Sequence, residues 1–254
     1  MIFPDFHKVQ VMAVVNVTAD SFYSVSRTDS VEALERRILE AVEQGATIID
    51  IGGYSSRPGA DDIPLEEEWR RVDLGVGVVR RTGAKYGKIL VNDITAAEAD
   101  EQMIPTIAQI DLPYIAMHMR GTPQTMQTKT EYDDVVTEVA DYLMAKTAQL
   151  EAAGVPKENI ILDPGFGFAK SVEQNYALLA GLSKIVAMGY PVLAGLSRKS
   201  MIYKVLSSTA EEVLPGTIAL NWEALRQGAT ILRVHDVAEA VQIAKIYDTS
   251  FRGL

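Results

Sequence analysis

Cysteine is absent from all 254 residues. The chain therefore has no disulfide, no thiolate zinc site and no thiol nucleophile, and any metal must be held by oxygen or histidine. Net positive charge is absent too. A formal charge of -10 argues against a nucleic-acid partner, which would need a basic face to neutralise phosphates. It leaves room for a local cationic pocket that takes a small anion. No apolar run reaches the roughly 18 residues needed to cross a bilayer, and the opening stretch MIFPDFHKVQVMAVVNVTAD lacks the basic-then-apolar pattern of a secretion signal. The expectations are a cytoplasmic location and no membrane partner. Linkers rich in proline, glycine and serine, low-complexity segments and repeats are also missing, so residues 1–254 are read as one domain.

What is present is an alternation of short apolar runs with helical stretches, the pattern of βα units on a parallel sheet. The expected strands are Val9 to Val17, Thr47 to Ile51, Ile89 to Val91, Tyr114 to Met117, Ile160 to Leu162, Val192 to Leu196 and Ile231 to Val234. DSVEALERRILEAVEQG places Val31, Leu34, Ile38 and Val42 on one helical face, with Ser30 as N-cap and Gly45 as stop. DDVVTEVADYLMAKTAQLEAAG and DVAEAVQIAKIYD read as further helices, and another spans about Pro64 to Arg81.

Each expected strand ends at a polar residue: Asn16, Asp50, Asn92, His118, Asp163, Ser197 and His235. Polar residues begin loops in any fold, but a (β/α)₈ barrel collects its functional groups at this rim, so the series points to a rim site. The count is one short of eight, because only one helix fits between Ile51 and Ile89. No Gly-x-Gly-x-x-Gly follows the first strand, so a dinucleotide-binding open sheet has no support.

Within ILDPGFGFAK, Asp163 ends a buried run. Its carboxylate needs either a nearby Arg, Lys or amide, or a ligand. The loop GGYSSRPGA carries Ser55, Ser56 and Arg57; the guanidinium can clamp an anion or simply face solvent. GLSRKSMI sets Ser197, Arg198 and Lys199 just past a strand, and RVHD sets Arg233 and His235 on one side of the last. Together Arg57, Lys199, Arg233 and His235 would form a cationic rim suited to a pyrophosphate ester. The alternative for Lys199 and His235 is a salt bridge to Asp50 or Asp236. Asp163 and Asn92 supply the acceptors and donors to read the edge of an amino-pyrimidinone ring, with the phenylalanines as apolar wall.

The segments VVNVTADSF, IIDIGGYSSRPGA, LVNDI, MHMRGTPQTMQ, ILDPGFGF, GLSRKSMI and RVHD resemble, in order, the motifs of the dihydropteroate synthase family, over about Val11 to Asp236. The resemblance implies a (β/α)₈ TIM-type barrel. It also implies a transferase that joins 6-hydroxymethyl-7,8-dihydropterin pyrophosphate to p-aminobenzoate, giving 7,8-dihydropteroate and pyrophosphate. By family pattern Asn92, Asp163, Lys199, Met117 and Gly195 hold the pterin and Arg233 packs over it. Asn16, Arg233 and His235 meet the pyrophosphate, Asn16 helping to place Mg²⁺. Ser56, Arg57, Pro58, Phe168 and Ser197 frame p-aminobenzoate. The first loop, with Asp20, Ser21 and Phe22, closes over both substrates. Lys199, Arg233, His235, Asp20 and Phe22 are the catalytic set. A homodimer through the last helices and competition by sulfonamides are further implications.

Three departures stand out. The family's TPD is Thr18-Ala19-Asp20, and its GGESTRPG becomes GGYSSRPG, with Tyr54 for the acid and Ser56 for the threonine. The family's third strand, ending in a VDT-like aspartate, has no counterpart between Arg81 and Lys88. One βα unit is therefore expected to be missing, with weaker pterin binding and lower stability. Two other readings compete: a pterin-binding protein without turnover, and a pterin-dependent methyltransferase, which has no p-aminobenzoate to seat.

Overall fold

The computed structural model describes residues 5–17, 27–56, 61–82 and 88–252. Seven parallel strands lie among them: β1 Gln10–Asn16, β2 Ile48–Gly52, β3 Val91–Asp93, β4 Tyr114–Met117, β5 Ile160–Asp163, β6 Leu193–Ala194 and β7 Ile231–Val234. Four run in the order β2-β1-β7-β6 and three in the order β3-β4-β5. A parallel bridge between Leu162 and Val192 joins the two groups, with the Leu162 amide donating to the Pro191 carbonyl at 2.9 Å. Within the described ladders β2 pairs with β1 and β3 with β4, so each of the two outermost strands has one neighbour.

Nine α-helices are described: α1 Arg27–Glu43, α2 Leu65–Arg81, α3 Met103–Ile110, α4 Val135–Ala152, α5 Val172–Ala180, α6 Leu182–Val186, α7 Ser200–Val205, α8 Leu214–Arg226 and α9 Val237–Tyr247. Leu34 and Ile38 of α1 are buried with Val15 and Val17 of the first strand and its continuation, as the 3.6-residue period requires. The expected N-cap Ser30 instead lies inside α1, which starts at Arg27; Gly45 does end it, with φ +98°. Helix α4 is capped by Asp134, whose side chain accepts from the Val136 and Thr137 amides at 3.0 and 3.2 Å. No described helix is long and apolar enough to cross a membrane.

Side-chain alternation gives the strands two apolar faces. Outward residues such as Ala13, Ala116, Leu162, Ala194, Leu232 and Val234 join the helices in the main core. On the other face Met12, Ile48, Ile115, Ile161, Leu193 and Ile231, one from each of six strands, form a separate buried cluster, with Leu90 ahead of β3 packed against it. Strand boundaries match expectation except around β3 and β6. The strand expected at Ile89 begins at Val91, because Ile89 is 59% exposed and the first ladder bond of this segment runs from Val91 N–H to Pro113 O at 2.9 Å. Strand β6 keeps two residues, since only Leu193 and Ala194 pair with β7; the chain turns further on, at Ser197 and Arg198.

Candidate active site

The same alternation places the site. Two residues beyond each member of the inner cluster, on the same face and nearer the C-terminal end of the strands, stand Asp50 after Ile48, Asn92 after Leu90 and Met117 after Ile115. Asp163 follows Ile161 in the same way, Gly195 follows Leu193 and Arg233 follows Ile231; on β1, Asn16 stands four residues beyond Met12. One ring of apolar side chains thus carries a second ring rich in charge and amide groups. His118 is the exception among the expected rim residues. One step past Met117, it faces the helices, where its ring meets Tyr142 edge-on at 4.9 Å and burial depresses its pKa to about 2.

Asp163 is buried, and among the described residues its carboxylate accepts one hydrogen bond, from the Gly165 amide at 2.7 Å. Burial pushes its pKa up, against the pull of Lys199, the Gly165 amide, Arg233 and Lys170. Of the two alternatives for this carboxylate, support within the protein is present: an amide and three nearby cations. The turn that brings the amide round needs glycine, because Gly165 has φ +70° and a Cβ there would run into the His118 carbonyl oxygen.

Lys199 is partly buried, and desolvation lowers its pKa to about 8 despite the opposing pull of Asp163. Its ammonium donates to the Phe166 carbonyl and lies 4.9 Å from the centroid of the Phe168 ring. Lys199 and Arg233 both flank Gly195: a Cβ on it would make ordinary contacts, 3.8 Å from Lys199 Nζ and 3.9 Å from Arg233 Cβ. The Arg233 guanidinium donates to Asp50 Oδ2 from Nε at 2.8 Å and from Nη2 at 2.6 Å. Ser197 Oγ accepts from the His235 amide at 3.1 Å and lies 3.1 Å from His235 Nδ1.

The two acids considered as partners for Lys199 and His235 are taken by other residues. Asp50 pairs with Arg233, and Asp236 forms a two-toothed pair with Arg198 at 2.9 and 2.7 Å. Arg198 also donates to the Ala210 and Glu211 carbonyls, so it clamps a loop. Asn16 ends β1 in register with Gly52, and Ser56 lies in the loop after β2. Asp20, Ser21, Phe22, Arg57 and Pro58 lie outside the described residues. A cavity of about 340 Å³ is bordered by His118, Arg120, Lys129 and Glu138, and His118 is the one expected rim residue that lines it.

One contributor stands outside the residues expected from the sequence. Lys170 is buried, and its ammonium donates to the Gly165 and Phe168 carbonyls at 2.9 and 3.0 Å and lies 3.0 Å from His118 Nδ1. Burial lowers its pKa to about 7. Its one sequence signal is a lysine three residues past a Gly-Phe-Gly turn. Asp50, expected at the rim and as a possible salt-bridge partner, contributes instead by holding Arg233.

Pterin binding enzymes, as a family, match residues 12–76 and 77–235 of this chain. The dihydropteroate synthase of Escherichia coli K12 is 38% identical over 263 aligned positions, covering 97% of this chain and 93% of that one. Among solved structures, dihydropteroate synthase from Clostridium difficile, determined in the presence of pteroic acid, superposes with a TM-score of 0.89 at 33% identity, covering 98% of this chain and 99% of that one. The Yersinia pestis enzyme in a sulfonamide drug complex gives 0.86 at 34% identity, with 97% and 95% coverage. By this likeness in sequence and in α/β frame, the chain belongs to the dihydropteroate synthase family of pterin-binding enzymes.

Proposed function

We propose that this chain condenses 6-hydroxymethyl-7,8-dihydropterin pyrophosphate with p-aminobenzoate to form 7,8-dihydropteroate and pyrophosphate. The observation that carries the reading is the meeting of Lys199 and Arg233 over Gly195, beside Phe168 and within electrostatic reach of Asp163. Asp163 accepts from adjacent N–H groups of the pterin, Asn92 reads the same ring edge, and Met117 supplies apolar floor. Lys199 and Arg233 bring positive charge to a substrate whose leaving group is strongly anionic. Phe168 and Ser197 border the p-aminobenzoate position, with Ser56, Arg57 and Pro58 on the opposite loop. The methylene carbon loses its bond to the pyrophosphate oxygen and gains one to the arylamine nitrogen, which gives up a proton.

Asn16 suits a supporting role toward Mg²⁺. It offers a neutral hard oxygen above a bare glycine, a Cβ on Gly52 lying 3.1 Å from Asn16 Oδ1, and no cluster of three or more His, Asp or Glu suited to a metal occurs among the described residues. Asn16 and the oxygens of the substrate would together hold the ion, consistent with magnesium's preference for phosphate and water. Its chemistry there is to neutralise the departing pyrophosphate.

The fold reading is a TIM-type barrel that lacks one βα unit, the family's third strand and helix. Four observations support it. Seven strands are described, and among the described residues β2 and β3 each lack a second neighbour. The family match falls in two pieces that meet between Val76 and Gly77, inside α2. The 263-position alignment is longer than the 254-residue chain. Leu65 and Trp69 of α2 are 75% and 70% exposed, as on a helix without one of its flanking neighbours. The same reading takes the protein to be a cytoplasmic homodimer.

The test is pyrophosphate release from the pterin pyrophosphate with Mg²⁺, with and without p-aminobenzoate, with the product identified by mass. Release that requires p-aminobenzoate is expected. Pterin binding without release would favour the reading of a binding protein without turnover, for which the missing unit is the specific motive.

A further inference from the structure

We propose that Asp50 is a positioning residue for this condensation: one carboxylate that spans the seam between β2 and β3 and fixes Arg233 and Asn92 for the pterin. The proposal rests on the synthase reading of the site. Asp50 is buried to 9% exposure. One of its oxygens takes both guanidinium contacts from Arg233, at 2.8 and 2.6 Å, and the other accepts from Asn92 Nδ2 at 3.3 Å. Three strands thus meet on one side chain, β7 and β3 each reaching β2 through it.

Backbone pairing does not do this work. Among the described residues β2 is laddered to β1 and β3 to β4, and no ladder joins β2 to β3. Where a continuous sheet would set the relative height of the two strands by amide bonds, here a carboxylate with charge-assisted hydrogen bonds is the contact across the seam. Its negative charge has a second effect. Lys199 and Arg233 repel each other, the arginine being one cause of the lowered lysine pKa. Asp50 holds the guanidinium to its own side of the ring of site residues. With Asp50 neutral, Arg233 would be drawn toward Asp163, the other buried carboxylate of the site, and would compete for the acceptor that the pterin uses.

The variant Asp50→Asn keeps the shape and removes the charge. By titration with the pterin pyrophosphate alone, its affinity should fall by about tenfold or more, while KM for p-aminobenzoate stays within about twofold. A purely structural role would instead lower the melting temperature and the active fraction and leave both constants in place. If Asp50 acts through Arg233, the loss on Asp50→Asn should largely vanish in an Arg233→Lys background, where the planar fork is already gone. Should Asp50→Asn fail to fold, Asp50→Glu keeps the charge but moves it by one methylene, and a loss of pterin affinity of about threefold or more is expected there. Wild-type pterin affinity in the folded variant, or an equal loss in both backgrounds, would overturn the proposal. A wild-type protein that binds pterin but forms no dihydropteroate would sink the synthase reading while the binding comparison still decides the role of Asp50.

Discussion

The ammonium of Lys199 sits between the Phe166 carbonyl and the face of the Phe168 ring, 4.9 Å from the ring centroid, in a partly buried position. Desolvation there is stronger than the attraction of Asp163 and leaves the amine with a pKa of about 8, against 10.5 for an ordinary lysine. In the unliganded protein the cation needed for an anionic substrate is therefore lost about two units earlier than usual. We expect kcat/KM for the pterin pyrophosphate to fall above about pH 8, and kcat, which reports the liganded state, to hold to higher pH because the bound anion favours the charged amine. A flat kcat/KM up to pH 10 would show that Lys199 does not carry this charge.

Lys170 makes a different prediction because it is a support. Its folded pKa of about 7 lies below the 10.5 of an ordinary lysine. Between these values the unfolded chain binds more protons than the folded one, so the contribution of Lys170 to stability rises with pH across that window. The melting temperature of the wild type, compared with Lys170→Met, should shift in the wild type's favour from pH 7 to pH 10. The substitution also strips the Gly165 and Phe168 carbonyls of a donor, at about 1–3 kcal/mol for a buried group left unpaired. A gap that stays constant with pH, or narrows as pH rises, would contradict that sign.

Gly165→Ala tests the turn that supports Asp163. The positive φ and the collision with the His118 carbonyl both oppose a methyl group, so a loss of at least about 1–3 kcal/mol in stability is expected. Pterin affinity should drop with it, since the amide on Asp163 moves. Calorimetry together with pterin titration checks both; a variant with wild-type values would mean the turn is more plastic than its contacts imply.

The seam between β2 and β3 should be visible in hydrogen exchange. Amides of Val91–Asp93 should exchange faster than those of Gln10–Asn16, which has strand neighbours on both sides. The melting temperature should lie below that of the Escherichia coli relative under matched conditions. Equal protection across β1 and β3 would mean that the seam is closed in solution.

A sulfonamide should displace p-aminobenzoate competitively if Ser56, Arg57 and Ser197 frame that substrate as proposed. Equilibrium dialysis with labelled p-aminobenzoate reads this directly, and displacement that fails at saturating drug would place the arylamine elsewhere.

Much of the site is legible in the sequence because strand periodicity is local: an apolar residue, a spacer and a polar residue can be read in Ile161-Leu162-Asp163 or Ile231-Leu232-Arg233 without knowing the fold. His118 misleads because a strand end does not say which face its last residue takes. The Asp50 to Arg233 contact joins residues 183 apart, and no local pattern announces it. Lys170 hides for a similar reason: a lysine after a turn reads as solvated until the loop folds back over it. Ser30 resembles a cap because serine suits that position, yet α1 has already begun at Arg27.

The alternation that aligns Asp50, Asn92, Met117, Asp163, Gly195 and Arg233 above one apolar ring also governs how such a chain can change. Loss of a single residue inside a strand would turn its reactive group toward the helices and bury a charge in oil. Removal of a complete strand with its helix leaves every remaining strand in phase. The architecture is therefore tolerant of large deletions and intolerant of small ones, so shortened versions of such a chain should differ from longer ones by whole modules.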